Sequence, residues 1–369
     1  MPIMRRSIFI SFVSVAFVLL FGLCSTAAGS DLLVPVDNQV YEYLEYMATR
    51  GVIPELMNNT RPMDRNTVSK YLVDVYHRSE DLSARERSIL YEHLADYRYE
   101  LADVLPELYQ NRRHFLLDEK AHTYFAFRSL QNLWQGVRQV FSYTPRQEPH
   151  HLLVYEKDSS FAWLDWEEMA RLETKNDLGR GVIMHSYQAA IQLAPRISLY
   201  SDLHMYNQQV KDGYTEPIPE YKGGFFNTSG EDVTGNVRYN SFDYPHAYIR
   251  HSSRIGGVFF GMMPLYWGNA PQSLILSNSA RAFPAFQWSK RLGNTRFTFL
   301  HGSLDPGPKG PDALSRYFVS HRLDFVLSSR LQMGLTEMLI YGDQKLEPAF
   351  LIPPVFLWSA QHNAADRDN

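Results

Sequence analysis

The residues in this chain that could do chemistry lie mostly on stretches that alternate with period two. In "FAWLDWEEMARLET", Asp165, Glu167 and Glu168 offer the paired carboxylates that glycoside hydrolysis requires, and Asp165 and Glu167 share one strand face. Charged walls of this kind also line the interior of barrels, so the pair alone does not make an enzyme. The sequence holds no Gly-x-Ser-x-Gly elbow, P-loop, dinucleotide fingerprint or His-Glu-x-x-His motif. His150-His151 is the one close histidine pair, with no third ligand near it in sequence, so neither a metal nor another cofactor is expected. A second group of residues suits sugars, which are held by aromatic faces beside hydrogen-bonding side chains, with cations where the sugar carries carboxylates. Tyr248, Arg250 and Arg254 in "HAYIRHSSRI" are such a set, as are Arg316, Arg322 and Asp324 on the polar face of the later stretch "RYFVSHRLDFVL". Tyr266, Trp267, Asn269, Asn278 and Arg281 supply a third. The competing reading makes these Trp and Tyr an interfacial girdle and pairs the arginines with neighbouring acids.

The elements that must position these side chains are strands. From about His114 the sequence alternates apolar and polar residues to its end. Leu164, Trp166, Ala170 and Leu172 oppose Trp163, Asp165, Glu167, Arg171 and Glu173. Ile197, Leu199, Leu203 and Met205 oppose Arg196, Ser198, Tyr200, Asp202, His204 and Tyr206. One apolar and one polar face, repeated over many segments, is what a transmembrane barrel requires: apolar to lipid, polar to the lumen. A soluble sandwich alternates too, so further features have to decide between them. Aromatics make up 14 % of the chain, and the formal net charge of −4 gives no reason to expect nucleic acid as a partner. Residues 1–28 have the form of a signal peptide, with Arg5 and Arg6, an apolar core from Ile8 to Leu23 and a small-residue zone after it. Its removal takes away Cys24, the one cysteine, so an exported chain would have no disulfide to hold it.

Residues 29–112 read as a small helical region. Asp37 is expected to cap a first helix that stops at Gly51, and Asp64 a second. Ser83 and Glu86 form a capping box for a third helix running through Leu101 and Val104. The order helix, "RGVIPELMNNTRPMDR", helix is distantly similar to an S-layer homology unit; a compact helical cap without cell-wall binding is the simpler reading. Residues 113–369 then form the barrel, with on the order of a dozen strands. Lys175–Gly181 and Ser328–Arg330 read as short turns and Gln209–His246 as a long excursion.

The segment "LYWGNAPQSLILSNSARAFPAFQWS" resembles the signature of the Wzi-type capsule assembly family, in which a Trp-Gly stretch runs into Ser-Leu-Ile-Leu-Ser-Asn and then Ala-Arg-x-Phe-Pro. His321-Arg322, Gly334-Leu335-Thr336-Glu337 and Tyr341-Gly342 are similar to that family's next hairpin, and "PVDNQVYEYLEYMATRGVI" to the start of many members. The resemblance implies a mainly β fold: an antiparallel transmembrane β-barrel in the outer membrane with a helical periplasmic element. It implies a lectin-like protein, not an enzyme, that binds and anchors capsular or related surface polysaccharide and assists capsule assembly. Its partners would be that polysaccharide, outer-membrane lipid and the capsule export machinery. The alternatives are a porin-like diffusion channel and a surface glycan hydrolase. One departure is the polar end "WSAQHNAADRDN", where an aromatic-ended strand is expected; a barrel incomplete at its C-terminus would explain it.

One hairpin allows a sharper expectation. In "YFVSHRLDFVLSSRLQMGLTEMLIYG" two polar residues, His321 and Glu337, interrupt an otherwise apolar row. A three-residue turn centred on Ser329 puts Leu327 opposite Leu331, Phe325 opposite Met333, Leu323 opposite Leu335, and His321 opposite Glu337. A lone cation on a lipid face costs about 2–4 kcal/mol at mid-bilayer, so a structural His321–Glu337 cross-strand pair is expected, or else a patch that does not face lipid.

Overall fold

A computed structural model of the chain describes residues 31–101, 104–108, 123–125, 151–157, 160–175, 178–194, 196–211, 229–234, 237–268, 270, 273–277, 280–304, 315–328, 331–342 and 346–362. The signal-like segment with Cys24, the candidates Asn269 and Asn278, His150 and the turn residues Ser329 and Arg330 lie outside them. No helix among the described residues is long and apolar enough to cross a membrane.

The first part of the chain is helical: α1 (Val40–Thr49), the two-residue strand β1 (Thr60–Arg61), α2 (Arg65–Tyr76), α3 (Ala84–Asp96) and α4 (Arg98–Leu101). Leu44, Met47, Leu72, Val75, Leu90 and Leu94 meet in its core. The Asp64 carboxylate accepts from Thr67 N–H, and Ser83 with Glu86 forms the reciprocal capping box. α1 differs from expectation. Gln39, not Asp37, precedes it, and the Val40 N–H is taken by Asn38 Oδ1 at 2.9 Å. Gly51, with φ of 78°, supplies the left-handed residue just past the end of α1. α3 is also shorter than its apolar stripe suggests. Arg65 takes the Asp96 carbonyl that a continuing helix would use, holds Glu100 Oε1 at 2.6 Å and sits over the Tyr97 ring at 4.2 Å. That capture turns the chain at Tyr97 and restarts it as α4.

Strands follow: β2 (Thr123–Phe125), β3 (Leu153–Lys157), β4 (Ser160–Lys175), β5 (Leu178–Ala194), β6 (Ile197–Lys211), β7 (Ser229–Thr234), β8 (Val237–Ser253), β9 (Gly256–Met263), β10 (Tyr266–Trp267), β11 (Phe283–Leu292), β12 (Thr295–Leu304), β13 (Arg316–Ser328) and β14 (Leu331–Gly342). Twelve of them form one sheet of order β14-β13-β12-β11-β9-β8-β6-β5-β4-β3-β2, with β7 on β8, and every neighbouring pair is antiparallel. Among the described residues β14 and β2 do not pair. β10 leaves it and pairs with β1, Thr60 opposite Trp267.

The connections sort by end. Those between β3 and β4, β5 and β6, β8 and β9, β11 and β12, and β13 and β14 are all tight and all lie at one end. The long ones, 212–228, 264–282 and 305–315, lie at the other, where 176–177 and 235–236 are short. The excursion expected over Gln209–His246 is cut down by β8, which starts at Val237 and is joined by β7. Its first part, "VRYNSFD", is polar on both faces and so carries no alternation to read.

The two faces of the sheet are inverted relative to a water-soluble protein. Leu164, Trp166, Leu172, Ile183, Ile191, Phe260, Phe286, Met333 and Leu335 all point to one face and are exposed. Arg180, Ser186, Gln192, Ser198, Asp202, Arg250, Thr298, Ser320, Arg322 and Asp324 point to the opposite face and are buried. The helical region packs against that polar face.

Candidate functional site

Several residues singled out for sugar binding sit in the seam between the helical region and the sheet. Asp324, 1 % exposed, accepts from Thr60 Oγ1 at 2.7 Å, Arg322 Nε at 2.8 Å and Arg296 Nη2 at 3.1 Å. Arg322 also donates to Thr60 Oγ1 at 3.0 Å and to Thr336 Oγ1 at 2.9 Å. The Gly334 backbone opposite Asp324 leaves the space in which the Arg322 guanidinium lies, because a Cβ there would collide with it. One strand pair away from the tight turn, Gln332 donates to the Leu56 carbonyl. Across the sheet, Arg250 Nη1 donates to the Asp31 carbonyl at 2.7 Å and Nη2 reaches Asp64 Oδ2 at 3.5 Å. Burial pushes the Asp31 carboxyl above its ordinary range, and the neighbouring Arg250 opposes that shift. The Tyr248 hydroxyl accepts from Leu33 N–H at 2.8 Å.

These contacts revise the sugar-binding expectation for Tyr248, Arg250, Arg322 and Asp324: their polar groups hold the helical region. Trp267, fully buried beside Thr60, has no face open for stacking. Tyr266 donates to the Ala270 carbonyl at 2.7 Å, with the Arg61 guanidinium 5.1 Å from its ring centre. Arg254 lies in the exposed β8–β9 turn rather than on the polar face, and its carbonyl accepts from Lys290. The hydrolase pair is placed the same way. Asp165 accepts from Leu152 N–H at 2.8 Å and faces His151 Nδ1 at 2.7 Å, so it anchors the chain entering β3.

The polar face carries a second group, all but Tyr248 of which the expectation about sugar did not single out. Trp163, Tyr200 and Tyr248 make a run of rings, edge-on at 6.3 Å and then stacked at 5.3 Å, with His151 stacked on Trp163 at 4.4 Å. Beside them Asp202 meets His204 Nε2 at 2.7 Å, accepts from Tyr200 at 3.3 Å and from Ser186 at 3.4 Å, and has His246 at 3.9 Å. Tyr206 stacks on Phe242 at 4.8 Å, and the ring of Tyr244 stands edge-on to His246 at 4.4 Å. Alternation was the signal: in "YSDLHMY" every second residue is an aromatic, an acid or an imidazole. Aromatic faces next to a shared carboxylate are the chemistry that takes hydroxyl-rich rings. Among the described residues no group of His, Cys, Asp and Glu is arranged to hold a metal ion.

Arg281 and Arg316 come together elsewhere, at the long-loop end. They line a cleft of about 350 Å³ whose floor is Leu276, Phe283 and Phe318. Both are exposed.

On the exposed face the β13–β14 register is as expected from Tyr317 opposite Tyr341 down to Phe325 opposite Met333, with His321 opposite Glu337. It slips at a bulge between Val326 and Ser328, so Ser328 rather than Leu327 faces Leu331. His321 Nδ1 lies 3.5 Å from Glu337 Oε2. That rung is covered from outside by the segment after β14, with its 3₁₀ turn Pro348–Leu351 and α5 (Leu357–Ala360). Phe350, Leu357 and Ala360 pack on Phe299, Val319 and Tyr341, and Trp358 N–H donates to Glu337 Oε1 at 3.0 Å. At this patch, His321 and Glu337 lie opposite each other and the segment after β14 packs over them. A second rung of the same kind, His185 opposite Glu168 at 2.6 Å, interrupts the apolar row of β4 and β5. The alternation contained it, since both residues fall on the apolar parity of their strands. Comparison of the chain with family models, with curated proteins and with solved structures gives no match.

Proposed function

We propose that this protein is an outer-membrane β-barrel of lectin-like character that holds capsular or related surface polysaccharide on the cell. The observation that carries the membrane part is the inversion of the sheet: large apolar side chains exposed across strands from β4 to β14, and charged ones buried on the other face. A soluble protein rarely exposes a contiguous apolar patch above a few hundred Å², whereas a barrel in lipid requires one. The sorting of connections supports the same orientation, with tight turns to the periplasm and long loops outside. The helical region, bound at Asp324, Arg250 and Gln332 near the tight-turn end, then lies on the periplasmic side of the lumen.

For polysaccharide, support comes from the ring-and-carboxylate wall of Trp163, Tyr200, Asp202, His204 and His246, and from the resemblance of the 265–289 segment to capsule assembly proteins. Many weak contacts along a repeating chain give retention by avidity, without one tight pocket. The diffusion-channel alternative is disfavoured by what occupies the polar face: helices from the periplasmic end, and β10 paired with β1. The hydrolase alternative is disfavoured by the engagement of Asp165.

The purified full chain, reconstituted in lipid, tests this reading. It should retain surface polysaccharide from its own cell saturably and pass little current across a planar bilayer. Failure to retain the polymer, together with stable large conductance, would establish the channel instead.

A further inference from the structure

The ring-and-carboxylate wall lies on the inner faces of β4, β5, β6 and β8, and the strand register sorts it into rows. Trp163, Tyr200 and Tyr248 share a row on the side of the tight turns. Asp165, Gln188, Asp202 and His246 form the next, and Glu167, Ser186, His204 and Tyr244 the one after it. Met169, Met184, Tyr206 and Phe242 close the set towards the long loops. Two polar rows therefore form a belt between rows of rings and thioethers. The bounding rows are six residues apart along β4, about 20 Å, and four strands give the belt a width of about 14 Å. That is a wall for a short run of sugar rings.

The charges of this belt are one-sided. It holds the carboxylates of Asp165, Asp202 and Glu167, and neither Lys nor Arg. Asp165 is engaged by His151 and the Leu152 N–H, and Asp202 by His204 and Tyr200. Glu167 is exposed, stands opposite Ser186 and meets no cation among the described residues. The arginines nearest the belt on this face are occupied outside it. Arg250, on the tight-turn side, holds Asp31 and Asp64, while Arg171 and Arg180, beyond the Met169 row, both pair with Glu173.

A ligand carboxylate would face Glu167 with no cation between them, and like charges repel more strongly beside a protein wall than in bulk water. Ring faces are negative as well, so Trp163 and Tyr200 attract an ammonium and not a carboxylate. Hydroxyls are well served, since Glu167, Ser186, Gln188 and the imidazoles supply acceptors and donors. We infer that the belt takes a glycan segment bearing hydroxyl or ammonium groups and rejects one bearing carboxylates, with Glu167 setting the choice. The inference rests on the polysaccharide reading and names the charge class of its ligand.

Titration of the full chain in nanodiscs with β-linked tetramers of glucose, glucosamine and glucuronic acid tests it, because these differ in charge and share a backbone. The glucose and glucosamine tetramers should bind saturably, glucosamine the more tightly, and glucuronic acid about tenfold more weakly than glucose. Glu167→Gln should bring glucosamine to the level of glucose. Glu167→Lys should raise glucuronic acid to at least that level, at an exposed position where the sheet tolerates the change. Glucuronic acid bound as tightly as glucose by the unaltered chain would overturn the inference. So would an order unchanged by E167K, or no saturable binding of any tetramer. Retention of the cell's own polysaccharide, measured in parallel, separates the two claims. Retention alongside any of those three outcomes would leave the proposed function standing, and lost retention with the expected order would count against the proposed function alone.

Discussion

At the scale of single residues, Asp324 is where the fold is most exposed to damage. One carboxylate neutralises Arg322 and Arg296 and accepts from Thr60. Asp324→Ala leaves the buried Arg322 and the half-buried Arg296 uncompensated, a change that costs about 3–5 kcal/mol. The expected result is release of the helical region, seen as new protease cleavage within residues 31–101 while the strands stay protected. Retained protection would mean that the seam does not rest on this network. Gly334→Val should give the same release by displacing the Arg322 guanidinium. The His321–Glu337 rung behaves as a unit. Glu337→Leu removes the partner of His321 and the acceptor of Trp358 N–H, so it should destabilise more than the H321L/E337L double variant relative to H321L. A double-mutant cycle should give a coupling of about 0.5–3 kcal/mol, and a value near zero would reduce the rung to a coincidence of position.

At the scale of elements, the helical region carries a pH dependence that the strands do not explain. His93, at the end of α3, packs its ring 5.1 Å from that of Tyr43, and burial pulls its pKa down to about 4. The folded form is therefore neutral where the unfolded chain, titrating near 6.5, is already charged. Unfolding binds a proton in that window, so the stability contributed above pH 6.5 is lost progressively as pH falls towards about 4. Denaturant titration of the full chain, followed by helical circular dichroism, should show that loss, and His93→Phe should flatten it. An unchanged slope in the variant would assign the dependence elsewhere. The elements themselves were legible to different degrees. Capping chemistry marked α2 and α3 at Asp64 and Ser83, because a cap is a local interaction written in adjacent residues. The early end of α3 was not legible, since Arg65 reaches it from another helix. In the sheet, alternation gave the faces and even the β13–β14 register, and failed where β8 is polar on both sides or where a bulge adds a residue.

At the scale of the whole molecule, one face of the sheet exposes large apolar side chains, and a membrane protein requires lipid to meet it. Replacing Leu164 or Phe260 by Arg on that face should cost about 2–4 kcal/mol at mid-bilayer, less near the edges. Folding measurements into vesicles should show this, whereas insensitivity to either change would place the face out of the membrane. What the sequence hid at this scale was the use made of the polar face. Arg250, Arg322 and Asp324 look like sugar ligands in one strand at a time, and only the meeting of Thr60, Asp31 and Asp64 with them shows that they fasten the helical region. Such long-range contacts leave no local pattern. The ring-and-carboxylate wall around Asp202 was legible as alternation but not as a site, because its members come from neighbouring strands. The central claim is retention of polysaccharide at the cell surface. Its most direct measurement compares cell-bound with released surface polysaccharide in cells with and without the gene. Loss of the bound fraction with a matching rise in the released fraction is the predicted result, and an unchanged bound fraction would contradict the account.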